Sequence, residues 1–179
     1  MSGIVARRYA KALIQIGQED GLYEKYGEEL KSINDLMEAS AEFKAVMLNP
    51  IYDKELKKDI LKTVSQKLGL SPVVTNFLLL LVDKRRIGHF QAIVRSYEEL
   101  ADEVAGRIRA QVTSAVPLDE QTLNALRGKL EAMTGRKVIM SVVEDKGLIG
   151  GIVTKIGDTI YDGSVRTQLA SLKEILMKG

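Results

Sequence analysis

The chain has 179 residues, a formal net charge of +2, 45% hydrophobic residues and 28% charged ones. That balance is the balance of a folded globular protein of one or two domains and excludes a disordered chain. Cysteine is absent and His89 is the only histidine, which excludes disulfides, thiolate catalysis and cysteine-based zinc sites. The longest apolar run, Phe77 to Val82, is six residues, far below the ~20 of a membrane helix. The N-terminus has no apolar core with a small-residue cleavage site, so it is not a secretory signal and a cytosolic chain is expected.

The first part of the chain reads as six helices divided by breakers. Ile4 to Ile16 is apolar on most sides, with Ser2 as its N-cap and Gly17 and Gly21 after it. Leu22, Tyr26, Leu30, Ile33 and Met37 recur at spacings of four and three, one stripe of a second helix. A short third segment, Phe43 to Leu48, stops at Asn49 and Pro50, because a residue before proline is pushed out of the helical region. Asp53 caps a fourth helix with apolar positions Leu56, Ile60, Val64 and Leu68, ended by Gly69. Ser71 and Pro72 open a fifth, which closes on Lys84, Arg85 and Arg86, where the helix dipole favours cations. After Gly88, Phe90, Ile93, Val94, Tyr97, Leu100, Ala101 and Val104 face inward from a sixth. Six short helices with short links predict a bundle.

At Gly106 the period changes from helical to alternating. Ile108, Ala110 and Val112 share one face of a strand, and Arg107, Arg109 and Gln111 share the other. Pro117 and Asp119 introduce a helix to about Met133, and Lys137 to Glu144 is a second strand. Gly151 to Ile156 and Thr159 to Tyr161 read as a hairpin across Gly157 and Asp158. A last helix runs through Leu169, Leu172, Ile175 and Leu176. The expected fold is α+β: a six-helix bundle over 1–105, then a small α/β domain over 106–179 with the order β-α-β-β-β-α.

The glycine-rich stretch from Gly147 to Gly163 invites a phosphate-binding reading, and its spacing refuses it. A dinucleotide fingerprint places G-x-G-x-x-G between a strand and a helix, whereas "GLIGG" has another spacing and leads into strand residues. No P-loop string occurs. The glycines are read as turn formers. His89 has no second imidazole for a metal, and Glu98, Glu99, Asp102 and Glu103 read as a solvated helix face. No catalytic constellation and no cofactor site emerges. A small nucleic-acid-binding regulator using Lys84, Arg85, Arg86, Arg107 and Arg109 is the alternative reading.

One feature exceeds what a bundle core requires. Residues 77 to 82 are apolar around the whole circumference of the fifth helix, and Val5, Ala6, Tyr9, Ala10, Ala12, Leu13, Ile14 and Ile16 leave the first helix little polar face. Either both helices are central in the bundle, or they flank a groove that receives an apolar helix from a partner.

The opening "ARRYAKAL", the helical first part and the closing "LIGGIVTKIGDTIYDGSVRTQL" resemble the delta subunit family of bacterial F-type ATP synthase, called OSCP in mitochondria. The resemblance implies a non-catalytic stator component that links the catalytic head to the peripheral stalk and resists rotor torque during ATP synthesis. It implies that the helical domain binds the N-terminal helix of an alpha subunit between its first and fifth helices. That groove falls on Tyr9, Ala12, Leu13 and Ile16, and on Asn76, Leu79, Leu80 and Asp83. It further implies that the second domain meets the C-terminal ends of the b subunits, on the cytoplasmic face of the bacterial plasma membrane, without membrane insertion, nucleic acid or cofactor.

Overall fold

A computed structural model describes residues 2–157, 159–169 and 173, and the chain divides into two units, Met1–Ala101 and Asp102–Gly179. The first is helical: α1 (Ser2–Glu19), α2 (Tyr23–Ala39), α3 (Ala41–Leu48), α4 (Lys54–Leu68), α5 (Pro72–Asp83), a 3-10 turn over Ile87–His89, and α6 (Phe90–Val104), whose last residues fall in the second unit. The expected caps Asp53 and Ser71 form, Ser2 is the first residue of α1 and not its cap, and Ser40 caps α3 without having been expected to. Ser40, Asp53 and Ser71 accept hydrogen bonds from the backbone N–H groups of Phe43, Leu56 and Val74, which satisfies donors that the first helical turn leaves free. His89 lies in the 3-10 turn rather than in α6. Leu13, Tyr26, Leu30, Ile33, Leu78, Ile93 and Tyr97 form the centre of one continuous core.

Three details differ from the sequence reading. First, α1 begins at Ser2 and continues through Gly17 to Glu19. Gly17 is buried where a Cβ would meet the Cα of Tyr23 at 2.8 Å, so it permits close approach of α2 rather than ending α1. The helix ends at Gly21 (φ 69°), where Leu22 N–H reaches back to the Gly17 carbonyl at 2.8 Å. Second, α4 is rotated by one residue from the expected stripe. Its buried positions are Lys57, Leu61 and Ser65, while Ile60 and Val64 are half-buried and Leu56 and Leu68 are exposed. Third, Leu22 and Val104 are exposed rather than inward.

The second unit contains β1 (Arg107–Ser114), α7 (Glu120–Thr134), β2 (Lys137–Glu144), a 3-10 turn over Lys146–Leu148, β3 (Ile152–Ile156) and β4 (Thr159–Asp162). The sheet order is β2-β1-β3-β4. β1 and β2 are parallel, joined through α7 as parallel neighbours require, and β1/β3 and β3/β4 are antiparallel. Ala110, Val138 and Ile156 pack with Leu130 of α7 into a second, separate core. Residues 165–169 are helical. The remainder of the expected last helix, with Leu172, Ile175 and Leu176, and the turn residue Asp158 lie outside the described residues.

The glycine string has a steric explanation. At Gly151 (φ 85°) a Cβ would lie 2.5 Å from the Gly163 carbonyl oxygen and 2.8 Å from the Cα of Ser164. Ile152 and Gly163 are hydrogen-bonded through their backbones at 3.0 Å, so two chain segments meet with no room for a side chain. Asp102, expected on a solvated face, is instead buried at 6% exposure: its carboxylate accepts from Arg109 Nε and lies 3.4 Å from Arg107 Nε, which ties the end of α6 to β1 across Gly106 (φ 63°).

Candidate partner-binding surface

Along α1 the core stripe is Ala6, Ala10, Leu13 and Gly17. Beside it, Val5, Tyr9, Ala12 and Ile16 recur at spacings of four, three and four, and so share an adjacent flank. Val5 and Tyr9 are half-buried, while Ala12 and Ile16 are exposed, Ile16 to 42%. Tyr9 meets Phe77 of α5 edge to face, with ring centroids 6.4 Å apart and planes at 68°, a favoured aromatic geometry. The Arg8 guanidinium stands 5.9 Å from the Tyr9 ring centroid, where the ring's quadrupole attracts a cation.

Phe77 identifies which flank of α5 faces α1. Val73 and Leu80 lie four and three residues from it, on the same side of the helix, and Asn76, three residues from Val73 and four from Leu80, borders them. Leu80 is 43% exposed. Asp83, seven residues from Asn76 and three from Leu80, continues that side towards the end of the helix, and Leu79, three residues from Asn76, lies beside it. Leu79 packs partly buried against the core, and Asp83 is engaged by α4: Lys58 pairs with its carboxylate and Lys54 Nζ donates to its carbonyl at 3.0 Å. The hydrogen bond from Lys58 holds the Asp83 carboxyl below its ordinary range.

The eight expected groove residues therefore separate into three groups. Tyr9, Ala12 and Ile16 share a strip that meets the flank of Asn76 and Leu80 through the Tyr9–Phe77 contact. Leu13 is 1% exposed and belongs to the bundle core, so the expectation that it lines a surface is corrected: the position one residue past Ala12 turns 100° toward the interior. Asp83 is held by α4 at the end of α5, and Leu79 is partly buried against the core. Val5 and Val73 join the strip, and the signal for them is their four-residue spacing from Tyr9 and from Phe77, which is itself buried beneath it.

The basic residues of the nucleic-acid alternative are divided between the two units. Arg107 and Arg109 are occupied by Asp102, and Lys84, Arg85 and Arg86 close α5 in the other unit. Among the described residues no group of three or more His, Asp or Glu is arranged to hold a metal ion, and no helix is long and apolar enough to cross a membrane.

The fold is that of an α+β chain of two units, with exposed apolar side chains along two touching helices of the first and no catalytic or metal-binding cluster among the described residues. The model of the ATP synthase delta (OSCP) subunit family matches residues 5–176, and the chain belongs to that family. It is similar to the ATP synthase subunit delta of Trichlorobacter lovleyi, 46% identical over 179 residues, 100% of this chain and 99% of the relative. The subunit delta of Desulfatibacillum aliphaticivorans is 48% identical over 174 residues, 97% and 95% of the two chains. A chain in the cryo-EM structure of the Toxoplasma gondii mitochondrial ATP synthase hexamer superposes with a TM-score of 0.74 at 20% identity, covering 96% of this chain and 97% of that one. At that identity the superposition shows a shared fold. The chain is thus a structural stator subunit of F-type ATP synthase and not a catalytic one.

Proposed function

We propose that the α1–α5 strip receives the N-terminal helix of an alpha subunit of the catalytic head, that the second unit holds the C-terminal ends of the b subunits of the peripheral stalk, and that the protein works on the cytoplasmic face of the bacterial plasma membrane. The observation that carries the head contact is the Tyr9–Phe77 junction, flanked by exposed Ile16 and Leu80. Apolar side chains on two touching helices, open to water, fit the apolar face of an incoming amphipathic helix. A joint that resists torque needs slow dissociation, which a dry, well-packed contact supplies and an exposed ion pair does not.

The test is a titration of the full chain with the alpha N-terminal segment, followed by backbone amide NMR. Shifts centred on Tyr9, Ile16 and Leu80 are expected, with Leu80→Asp abolishing them while the amide spectrum stays folded. Binding that survives Leu80→Asp, or shifts that avoid α1, overturns the placement. Salt-insensitive affinity separates this contact from phosphate binding, which weakens steeply with salt.

A further inference from the structure

Lys57 is the anomaly of the first unit. It occupies a core-facing position of α4 and is 8% exposed, yet its ammonium makes one hydrogen bond among the described residues, to the Asn49 carbonyl at 2.9 Å. An ammonium carries three donors, and a buried charge without a counter-ion is costly. Lys57 lines a cavity of about 520 Å³ between the α3–α4 loop and the end of α5, inside the size range of ligand sites. Met47, Leu48, Val82 and Ile87 supply apolar wall, and Arg85 supplies a second cation. Asp53, Lys54 and Glu55 also stand on the lining: Asp53 is committed to the Leu56 N–H, Lys54 Nζ to the Asp83 carbonyl, and Glu55 is exposed.

Arg85 itself is held at φ 55°. Its N–H bonds the Val82 carbonyl and the N–H of Arg86 bonds that of Leu81, the closing motif that α1 and α4 complete with Gly21 and Gly69 in the same left-handed conformation. Where two helices use glycine, α5 carries an arginine under strain, and its side chain lines the cavity. Strain retained in this way accompanies function.

The geometry points to this cavity as a binding site for an amphiphilic carboxylate, the carboxylate lying against Lys57 and Arg85 and the apolar part against Val82 and Ile87. The site lies on the α4 side of α5, so it stands or falls independently of the α1–α5 strip. Isotope-labelled full chain is titrated with sodium octanoate, sodium acetate, 1-octanol and the blocked peptide N-acetyl-Leu-Leu-Glu amide. Saturable shifts at Lys57 and Ile87 are expected with octanoate or peptide, and none with acetate or octanol. Tighter binding of the peptide assigns the carboxylate to a partner polypeptide, and tighter binding of octanoate assigns it to a free amphiphilic acid. Arg85→Gly is expected to weaken binding about tenfold while raising the melting temperature, so lost affinity cannot be blamed on lost fold. Lys57→Met is expected to weaken it at least as much. The absence of saturable binding by either carboxylate, or octanol binding as well as octanoate, overturns the proposal.

Discussion

The start of α5 is fixed by a carboxylate from another helix, and breaking that link gives the clearest quantitative prediction. Glu29 of α2 is 8% exposed, and its Oε2 accepts from the Ser71 backbone N–H at 2.9 Å and from the Ser71 hydroxyl at 2.6 Å. The same hydroxyl accepts from Val74 N–H at 3.3 Å, so one serine joins a buried carboxylate to the first turn of α5. Hydrogen bonds to a charged group contribute about 1.5–3 kcal/mol each, and an orphaned buried donor costs about 1–3 kcal/mol. Glu29→Ala removes both bonds and leaves Ser71 N–H without its acceptor, for an expected loss of about 3–5 kcal/mol. Ser71→Ala loses the cap and one of the two bonds, about 2 kcal/mol. Urea unfolding followed by tyrosine fluorescence reports on this unit, because every tyrosine but Tyr161 lies in it. The double variant should fall short of additivity by at least about 1 kcal/mol, since the bonds are shared. Additive losses would mean that Glu29 and Ser71 act separately and that α2 does not hold α5.

Further consequences are equally direct. Leu13→Ala, in the core, should cost about 2–5 kcal/mol of stability with the intrinsic partner affinity unchanged, whereas Leu80→Ala should leave urea unfolding unchanged and weaken the alpha-segment contact by about 1 kcal/mol, the share of leucine burial left for a partner to complete. Gly151→Ala should unfold the second unit at lower urea than wild type by several kcal/mol, because the Cβ meets backbone rather than a movable side chain; an unshifted midpoint would refute the close approach. Asp162 accepts from Ser164 N–H and then from Thr167 Oγ1, and Asp119 accepts from Thr122; both carboxyls are held below their ordinary range, Asp162 mainly by Ser164 and Asp119 mainly by Thr122. Their contribution is complete above the unfolded carboxyl pKa of about 4 and is lost as pH falls through the lower folded values. Acid unfolding curves of Asp119→Asn and Asp162→Asn should therefore be flatter below about pH 4. Arg85→Gly should raise stability by about 1 kcal/mol through relief of the left-handed backbone.

The helices were legible where a residue type has one structural meaning. Ser71 with Pro72, Asp53, and Gly69 mark ends in the sequence and mark the same ends in the structure. Ambiguity entered where a residue has two meanings. Gly17 reads as a breaker, but a glycine inside a helix also permits a neighbour to approach, and only the position of Tyr23 decides between them. The α4 register failed because Lys57 is buried: a pattern of apolar letters passes over a lysine whose aliphatic stem occupies the core. For the candidate surface, the apolar excess of α1 and α5 was visible, but its direction was not. A run of six apolar residues carries no polar letter to mark the solvent side, so Leu79 and Leu80 look alike in sequence. The Tyr9–Phe77 contact separates them.

Besides this contact, α5 is bound at both ends by other helices. Its N-terminus is held from α2 by Glu29 through Ser71, and its C-terminus from α4 by Lys58 on the Asp83 carboxylate and Lys54 on the Asp83 carbonyl. Apolar packing alone fixes a helix poorly along its axis, because leucine-rich surfaces slide with little change in buried area, and directional hydrogen bonds at the termini fix what packing leaves free. A helix that carries the proposed head contact must resist that axial slip. Removing the N-terminal bond with Ser71→Ala and the C-terminal bond with Lys58→Met together should therefore speed dissociation of the alpha segment more than either alone, at unchanged burial of Leu80. An off-rate that follows global stability alone would show instead that the two bonds serve folding and not the joint.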